Sequence, residues 1–182
     1  MPSVLWALVV AAVLPANGSY TVDRTASTIQ FTIVHKLHQV EGKSSDIEGR
    51  AVVKEDGSVL TMVRVPVATF RSGVANRDEH MLEALEAGKF PYVVFKGVAK
   101  LGPDRSLPNG PLVLQGEVDL HGVTRPLTVP LSLSVQKDNS IRVQGTFGVS
   151  LDAHGVERPS LLFVKIEDNC RIDVDLLLRE GQ

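Results

Sequence analysis

The stretch PLVLQGEVDLHGVTRPLTVPLSLSV, residues 111–135, reads as two strands about a single turn. On its first half Leu112, Leu114, Val118 and Leu120 alternate with Gln115, Glu117 and Asp119. On its second half Leu127, Val129, Leu131, Leu133 and Val135 alternate with Thr128, Ser132 and Ser134. A period of two is what a half-buried antiparallel strand requires, one face on a core and the other in water. Between the halves lies DLHGVTRP, residues 119–126, and a close copy, DAHGVERP, begins 33 residues later at Asp152. A histidine beside Asp and Arg, written twice, has two physical readings: two half-sites for metal or catalysis, or one turn that a β-protein needs twice. Gly122 and Gly155 permit positive φ, and Pro126 and Pro159 hold the residue before them extended. Each octet also follows a period-two segment. The turn reading is therefore preferred, with the shared Val123 and Val156 free to fold back over the end of the sheet.

The same period runs through most of the chain. Ile29, Phe31 and Ile33 alternate with Thr28, Gln30 and Thr32. Ile141, Val143, Phe147 and Val149 alternate with Arg142, Gln144 and Thr146, and Cys170, Ile172, Val174, Leu176 and Leu178 form another row. Turn signals at Glu55-Asp56-Gly57, Lys137-Asp138-Asn139 and Glu167-Asp168-Asn169 separate the rows. Eight to ten short strands at this spacing predict an all-β protein, a closed antiparallel barrel or a sandwich. One segment departs from the pattern. Asn76 with Glu79 three residues on has the form of a capping box, Met81, Leu82 and Leu85 share a helical face, and Gly88 is a stop. A single short helix covering a barrel opening is expected there. Gly97, Gly116 and Gly145 fall on the inward rows, where they serve either to bend a strand at a corner or to leave space inside.

The chain has 182 residues, 43% of them hydrophobic, which suits one domain with a substantial core. Residues 4–14 are apolar and uncharged, too short to span a bilayer, and Ala16-Asn17-Gly18 follow as small residues. Residues 1–18 are expected to be a secretory signal, leaving a mature domain of 19–182, exported to the periplasm or secreted, with no stable membrane insertion. A net charge of −2 with scattered Lys and Arg gives no basic footprint for nucleic acid. The single Cys170 excludes an internal disulfide and reads as a small buried hydrophobe.

Four stretches, in order, resemble the YceI family of exported lipid-binding proteins: Phe31-Thr32-Ile33-Val34-His35 with Val40-Glu41-Gly42; Asn76-Arg77-Asp78-Glu79-His80-Met81; Phe90-Pro91-Tyr92-Val93-Val94-Phe95; and Gly116 through Leu127. The resemblance runs from about Tyr20 to Leu178. It implies a lipocalin-like barrel around an apolar channel that binds a polyisoprenoid, an isoprenoid quinone or a fatty-acid derivative, without catalysis, metal or cofactor, and a homodimer is compatible with it.

The inward rows make Phe31, Ile33, Leu82, Leu85, Phe95, Leu114, Val118, Leu131, Val143 and Phe147 the expected ligand-contacting side chains. Arg77 is the candidate for a polar head, at a helix start where backbone N–H groups are free. Two rivals from other classes are a lipid hydrolase using His80 or His121 and a filled barrel acting as an envelope interaction module. The sequence shows no Gly-x-Ser-x-Gly elbow and no activated Cys. His35 and His38 fail as a chelating pair on one strand because they would face opposite sides. His80, in a helix start with Asp78, is expected to be held by a carboxylate or a backbone carbonyl.

Overall fold

The computed structural model describes residues 13–35, 38–102, 104–158, 160–161 and 164–181. Its strands are β1 (Ser19–Val22), β2 (Thr28–His35), β3 (His38–Ser44), β4 (Glu48–Val53), β5 (Ser58–Pro66), β6 (Tyr92–Lys100), β7 (Pro111–Leu120), β8 (Val123–Val135), β9 (Ile141–Ser150), β10 (Ser160–Leu161), β11 (Val164–Lys165) and β12 (Asn169–Glu180), with one helix, α1 (Ala75–Ala84).

β10 and β11 form a small separate ribbon, and the remaining strands form one antiparallel sheet that closes on itself. β1 and β2 act as one bent stave, and so do β3 and β4, which gives an eight-stranded barrel. Closure is made by β12. Its first half pairs with β2 (Ile172 opposite Phe31) and its last residues pair with β1 (Leu178 opposite Val22). The bend between β1 and β2 has a visible cause. Asp23 caps a short 3-10 turn by accepting from the Thr25 N–H at 3.0 Å, and the Asp23 N–H donates to the Leu177 carbonyl at 2.8 Å. The Ser27 hydroxyl then accepts the Leu177 N–H at 2.9 Å. On β12 the consecutive residues Leu176 and Leu177 are both buried: Leu176 stays on the inward row with Val174 and Leu178, and Leu177, on the other face, is covered where the partner stave turns.

The hairpin in the opening stretch forms in the expected register, Leu120 opposite Val123 and Gly116 opposite Leu127. His121 and Gly122 make its two-residue loop with φ of 56° and 71°. Positive φ at both central positions matches the twist of the strands, and Gly supplies it without strain.

The inward glycines bend and close the wall. A Cβ on Gly116 would lie 2.6 Å from the Gly97 Cα of the neighbouring strand, and one on Gly145 would lie 2.6 Å from the Pro130 carbonyl. The space above Gly97 is taken by the Phe95 ring, 2.6 Å from where its Cβ would be. These residues allow close strand approach and seat an aromatic ring; they do not leave holes.

The helix departs from the sequence reading at both ends. The residue before its first turn is Val74, without a side-chain cap, and instead the Asp78 carboxylate inside the helix reaches back to accept the Ser72 N–H at 2.8 Å. Asn76 and Glu79 are exposed and make no capping box. The helix ends at Ala84, before Gly88, because Glu86 turns to φ 44° and its carbonyl accepts the Lys89 and Phe90 N–H groups.

α1 lies between β5 and β6, so it covers the end of the barrel that also carries the β7–β8 hairpin and the described residues between β9 and β12. The opposite end carries the β4–β5 and β8–β9 turns, the long loop 101–110 and the residues that precede β1.

Candidate functional site

The barrel is not filled. Its interior holds a cavity of about 430 Å³, within the range of small-molecule sites. The inward residues explain where the space is. Those toward the floor, such as Val53, Val59, Leu133 and Ile141, are buried, whereas Ile33, Val63, Phe95, Leu131, Phe147, Ile172 and Val174 keep partial exposure although they point into a closed barrel. The accessible surface of that second group faces the cavity.

The lining is apolar along almost its whole length. Polar groups concentrate in one segment at the α1 end, namely Ser72, Arg77, Asp78 and His80. Thr61, on β5, and the Cys170 thiol also reach the lining, and Arg50 borders it from β4. The lining is thus almost wholly apolar, with its longest run of polar residues at the α1 mouth.

Of the residues expected from sequence, Phe31, Ile33, Arg77, Leu85, Phe95, Leu114, Val118, Leu131, Val143 and Phe147 all line this cavity. Leu82 does not. The helix turns Met81, Ala84 and Leu85 inward instead, and Leu82 sits half-buried off the lining, because a ten-residue helix presents only one narrow stripe to the opening. Sequence reasoning missed Val63, Ile172 and Val174. The latter two lie on a row that alternation does identify. Val63 was hidden because β5 reads Val-Leu-Thr-Met-Val-Arg-Val, apolar on both faces, with Leu60 and Met62 exposed on the outside.

Arg77 is half-buried at the mouth, where its Nε donates to the Ser72 hydroxyl and its Nη2 to the Ser72 carbonyl, both at 3.2 Å. Asp78 is held below the ordinary carboxylate range, first by the Ser72 hydroxyl and then by its N–H, with Arg71 and Arg77 adding charge attraction. His80 is exposed and borders the mouth; Asp78 turns to Ser72 and not to His80. Burial pushes the Cys170 thiol up to about 12, which makes it a hydrophobe and not a nucleophile.

The two octets meet in space. His121 spans from the Glu86 carboxylate (Nε2···Oε2 2.8 Å) to the His154 carbonyl (Nδ1···O 3.2 Å), and the Arg125 Nε donates to the Ala153 carbonyl at 2.9 Å. Phe90 packs edge-on against the His121 ring with centroids 5.0 Å apart. His154 is buried and its Nδ1 faces the Ser150 carbonyl at 2.7 Å. The octets thus tie the segment after α1 to both neighbouring connections. They are turns, as the sequence indicated, and they also bind one another, which it did not indicate. The shared valine differs between copies: Val156 is buried and lines the cavity, whereas Val123 simply begins β8. Pro159 lies outside the described residues.

His35 and His38 do not sit three apart on one strand. A hairpin separates them, they pair across β2 and β3, and their rings stand 5.5 Å apart. Among the described residues no group of three or more His, Cys, Asp or Glu side chains is placed to hold a metal ion.

A closed eight-stranded barrel with a helix at one mouth and an apolar lumen is a shape that other proteins share. The sequence profile of the YceI-like domain matches residues 20–178. The chain belongs to the YceI-like family. A UPF0312 protein of Vibrio campbellii is 30% identical over 132 residues, 67% of this chain and 68% of that one. The UPF0312 protein VPA0850 of Vibrio parahaemolyticus is 29% identical over 132 residues, again 67% and 68% of the two chains. Among solved structures, BcnA of Burkholderia cenocepacia superposes with a TM-score of 0.72 at 15% identity, covering 86% of this chain and 98% of its own. A polyisoprenoid binding domain from Saccharophagus degradans, implicated in plant cell wall breakdown, superposes with a TM-score of 0.71 at 16% identity, covering 89% and 98%. At these identities the structural likeness speaks for the fold, and the YceI-like barrel is common to them.

Proposed function

We propose that this YceI-like protein binds a long-chain amphiphile, a polyisoprenoid, an isoprenoid quinone or a fatty-acid derivative, without catalysis, and carries or stores it in the cell envelope. The observation that carries the reading is the lumen: about 430 Å³ of almost wholly apolar space, with the polar run Ser72 to His80 at the α1 mouth. The driving force is desolvation, about 0.8 kcal/mol for each methylene moved from water into the channel. Ten methylenes give about 8 kcal/mol, which is of the same order as the 4–15 kcal/mol that association itself costs. Chains well beyond ten carbons are therefore the natural ligands, and no strong charge contact is needed to hold them. Arg77 and the α1 N-terminus stand where a polar head would emerge.

The similarity to a polyisoprenoid binding domain supports the ligand class. Residues 4–14, with their leader-like composition, support export to the periplasm or beyond. A hydrolase reading finds little to build on. The His121 ring is engaged on both sides by Glu86 and the His154 carbonyl, with no hydroxyl or thiol among its hydrogen-bond partners. The test is native mass spectrometry of protein purified from its own host, before and after organic extraction. A co-purifying prenyl or acyl species confirms the carrier and names its cargo. A clean mass that is unchanged after incubation with prenyl and acyl lipids refutes it.

A further inference from the structure

The strand residues that line the lumen are hydrocarbon with few exceptions, and two of the exceptions stand together. Among the described residues, only Tyr20 on β1 and Thr61 on β5 bring a hydroxyl-bearing side chain to the lining from a barrel strand. Their strands flank β4, and the ladder sets both beside the same residue: Tyr20 pairs with Ala51, and Ala51 pairs with Thr61. The three side chains form one inward row, with Val53 and Val59 toward the floor and Val63 toward the mouth. Tyr20 is 5% exposed and Thr61 half-buried, and neither hydroxyl has a hydrogen-bond partner among the described residues. Buried hydroxyls are seldom left that way. The row is made entirely by strands of the domain 19–182, to which ligand binding is assigned.

We propose that the row Tyr20, Ala51, Thr61 is a polar subsite deep in the lumen, and that it selects an amphiphile with an oxygen function, a hydroxyl or keto group, partway along its chain. This rests on the reading that the lumen holds a long chain, and it narrows which chain. A plain alkyl chain at this depth excludes water from both hydroxyls and returns no bond. An oxygen function at the same depth meets them, because each side-chain hydroxyl both donates and accepts. Ala51 between them contributes only a methyl group, which leaves the oxygen room to approach. The depth follows from β5. Thr61 lies five residues from Pro66, the mouth end of that strand. At about 3.4 Å per residue and a strand tilt of about 40°, that is about 13 Å below the mouth. An extended chain advances about 1.2 Å per bond, so the oxygen function belongs about ten carbons from a head held near Arg77.

The test compares stearic acid with stearic acids hydroxylated beside the carboxylate, about ten carbons along, and at the far end, each titrated by calorimetry into delipidated protein. The full chain is produced in its own host, and the variants are Thr61→Val, Tyr20→Phe and the two together, which remove the hydroxyls and keep the shapes. The unsubstituted protein is expected to prefer the mid-chain hydroxy acid over stearic acid by about fivefold to tenfold, and to show no such preference for the other isomers. Each single variant is expected to lose about threefold of that preference and the double variant all of it, with stearic acid bound at least as tightly as before. Either single variant that folds is enough to read the effect. No preference for the mid-chain isomer in the unsubstituted protein, or a preference that survives the substitutions, overturns the inference and leaves the carrier reading intact. No binding of any probe by the unsubstituted protein refutes the carrier reading, and the inference falls with it.

Discussion

Replacing Leu131 by Trp tests whether the lumen is space or packed core. Leu131 points inward from β8, keeps partial exposure, and its side chain passes 2.7 Å from where a Cβ on Gly145 would sit, so it lies over the bare Gly145 of the neighbouring strand β9. An indole in place of the isobutyl group adds about six heavy atoms to the lumen. In a core at normal packing density that overpacking costs about 1–3 kcal/mol. For a chain of this size it is a fall of roughly 2–12 °C in Tm. With about 430 Å³ of cavity alongside, the ring has room to enter, and Tm is expected to stay within about 2 °C of the parent. The ligand is affected instead. If the indole displaces half its added bulk, about three methylenes stay in water, about 2.4 kcal/mol, and affinity for a long acyl chain drops roughly sixtyfold. Trp6 is the only other tryptophan, so emission of the new indole reports its surroundings with little background. The assay pairs thermal unfolding with calorimetry and with quenching by a brominated acyl chain. A Tm loss above about 4 °C, with no quenching, shows a filled barrel and refutes the reasoning.

Three further outcomes follow from the structure. Gly116→Val places a side chain against the β6 backbone at Gly97 and is expected to destabilise by about 3 kcal/mol or prevent folding, read by denaturant midpoint, whereas Gly88→Ala, whose Cβ meets nothing within 4 Å, stays near the parent. Asp23 and Asp138 are each held at about 2, by the hydroxyls of Thr25 and Ser140 first and by Arg179 second. Folded values below the ordinary 3.8 mean that their stabilisation is complete above about pH 4 and is lost as pH falls toward about 2. Tm should therefore fall through that window, and Arg179→Ala should shallow the fall; an identical acid profile in that variant contradicts the assignment. Cys170, buried with its thiol at about 12, should react with a thiol reagent at about pH 8 only as fast as the protein unfolds, and rapid labelling of native protein contradicts its placement.

Much of the architecture is a local property. Alternation at 112–120 and 127–135 requires a hairpin with one face buried, and positive φ at His121 and Gly122 requires a turn that Gly can make. Those features are read from neighbours in the chain, as are the inward strand rows, which hold eight of the ten expected site residues found on the cavity lining, Arg77 and Leu85 being on the helix. Long-range geometry settled the rest. Period two marks which residues share a face, but not whether that face meets a packed interior or an empty one; that depends on eight staves closing at a radius the side chains do not fill. On the helix the expected Met81 and Leu85 face the opening together with Ala84, and Leu82 falls beside them, because a short helix turns only one narrow stripe inward. His121 met the second octet, and Leu14 met the loop 101–110, across 33 and more than 80 residues of chain. Local pattern specifies each strand; only closure of the barrel decides what its two ends and its interior enclose.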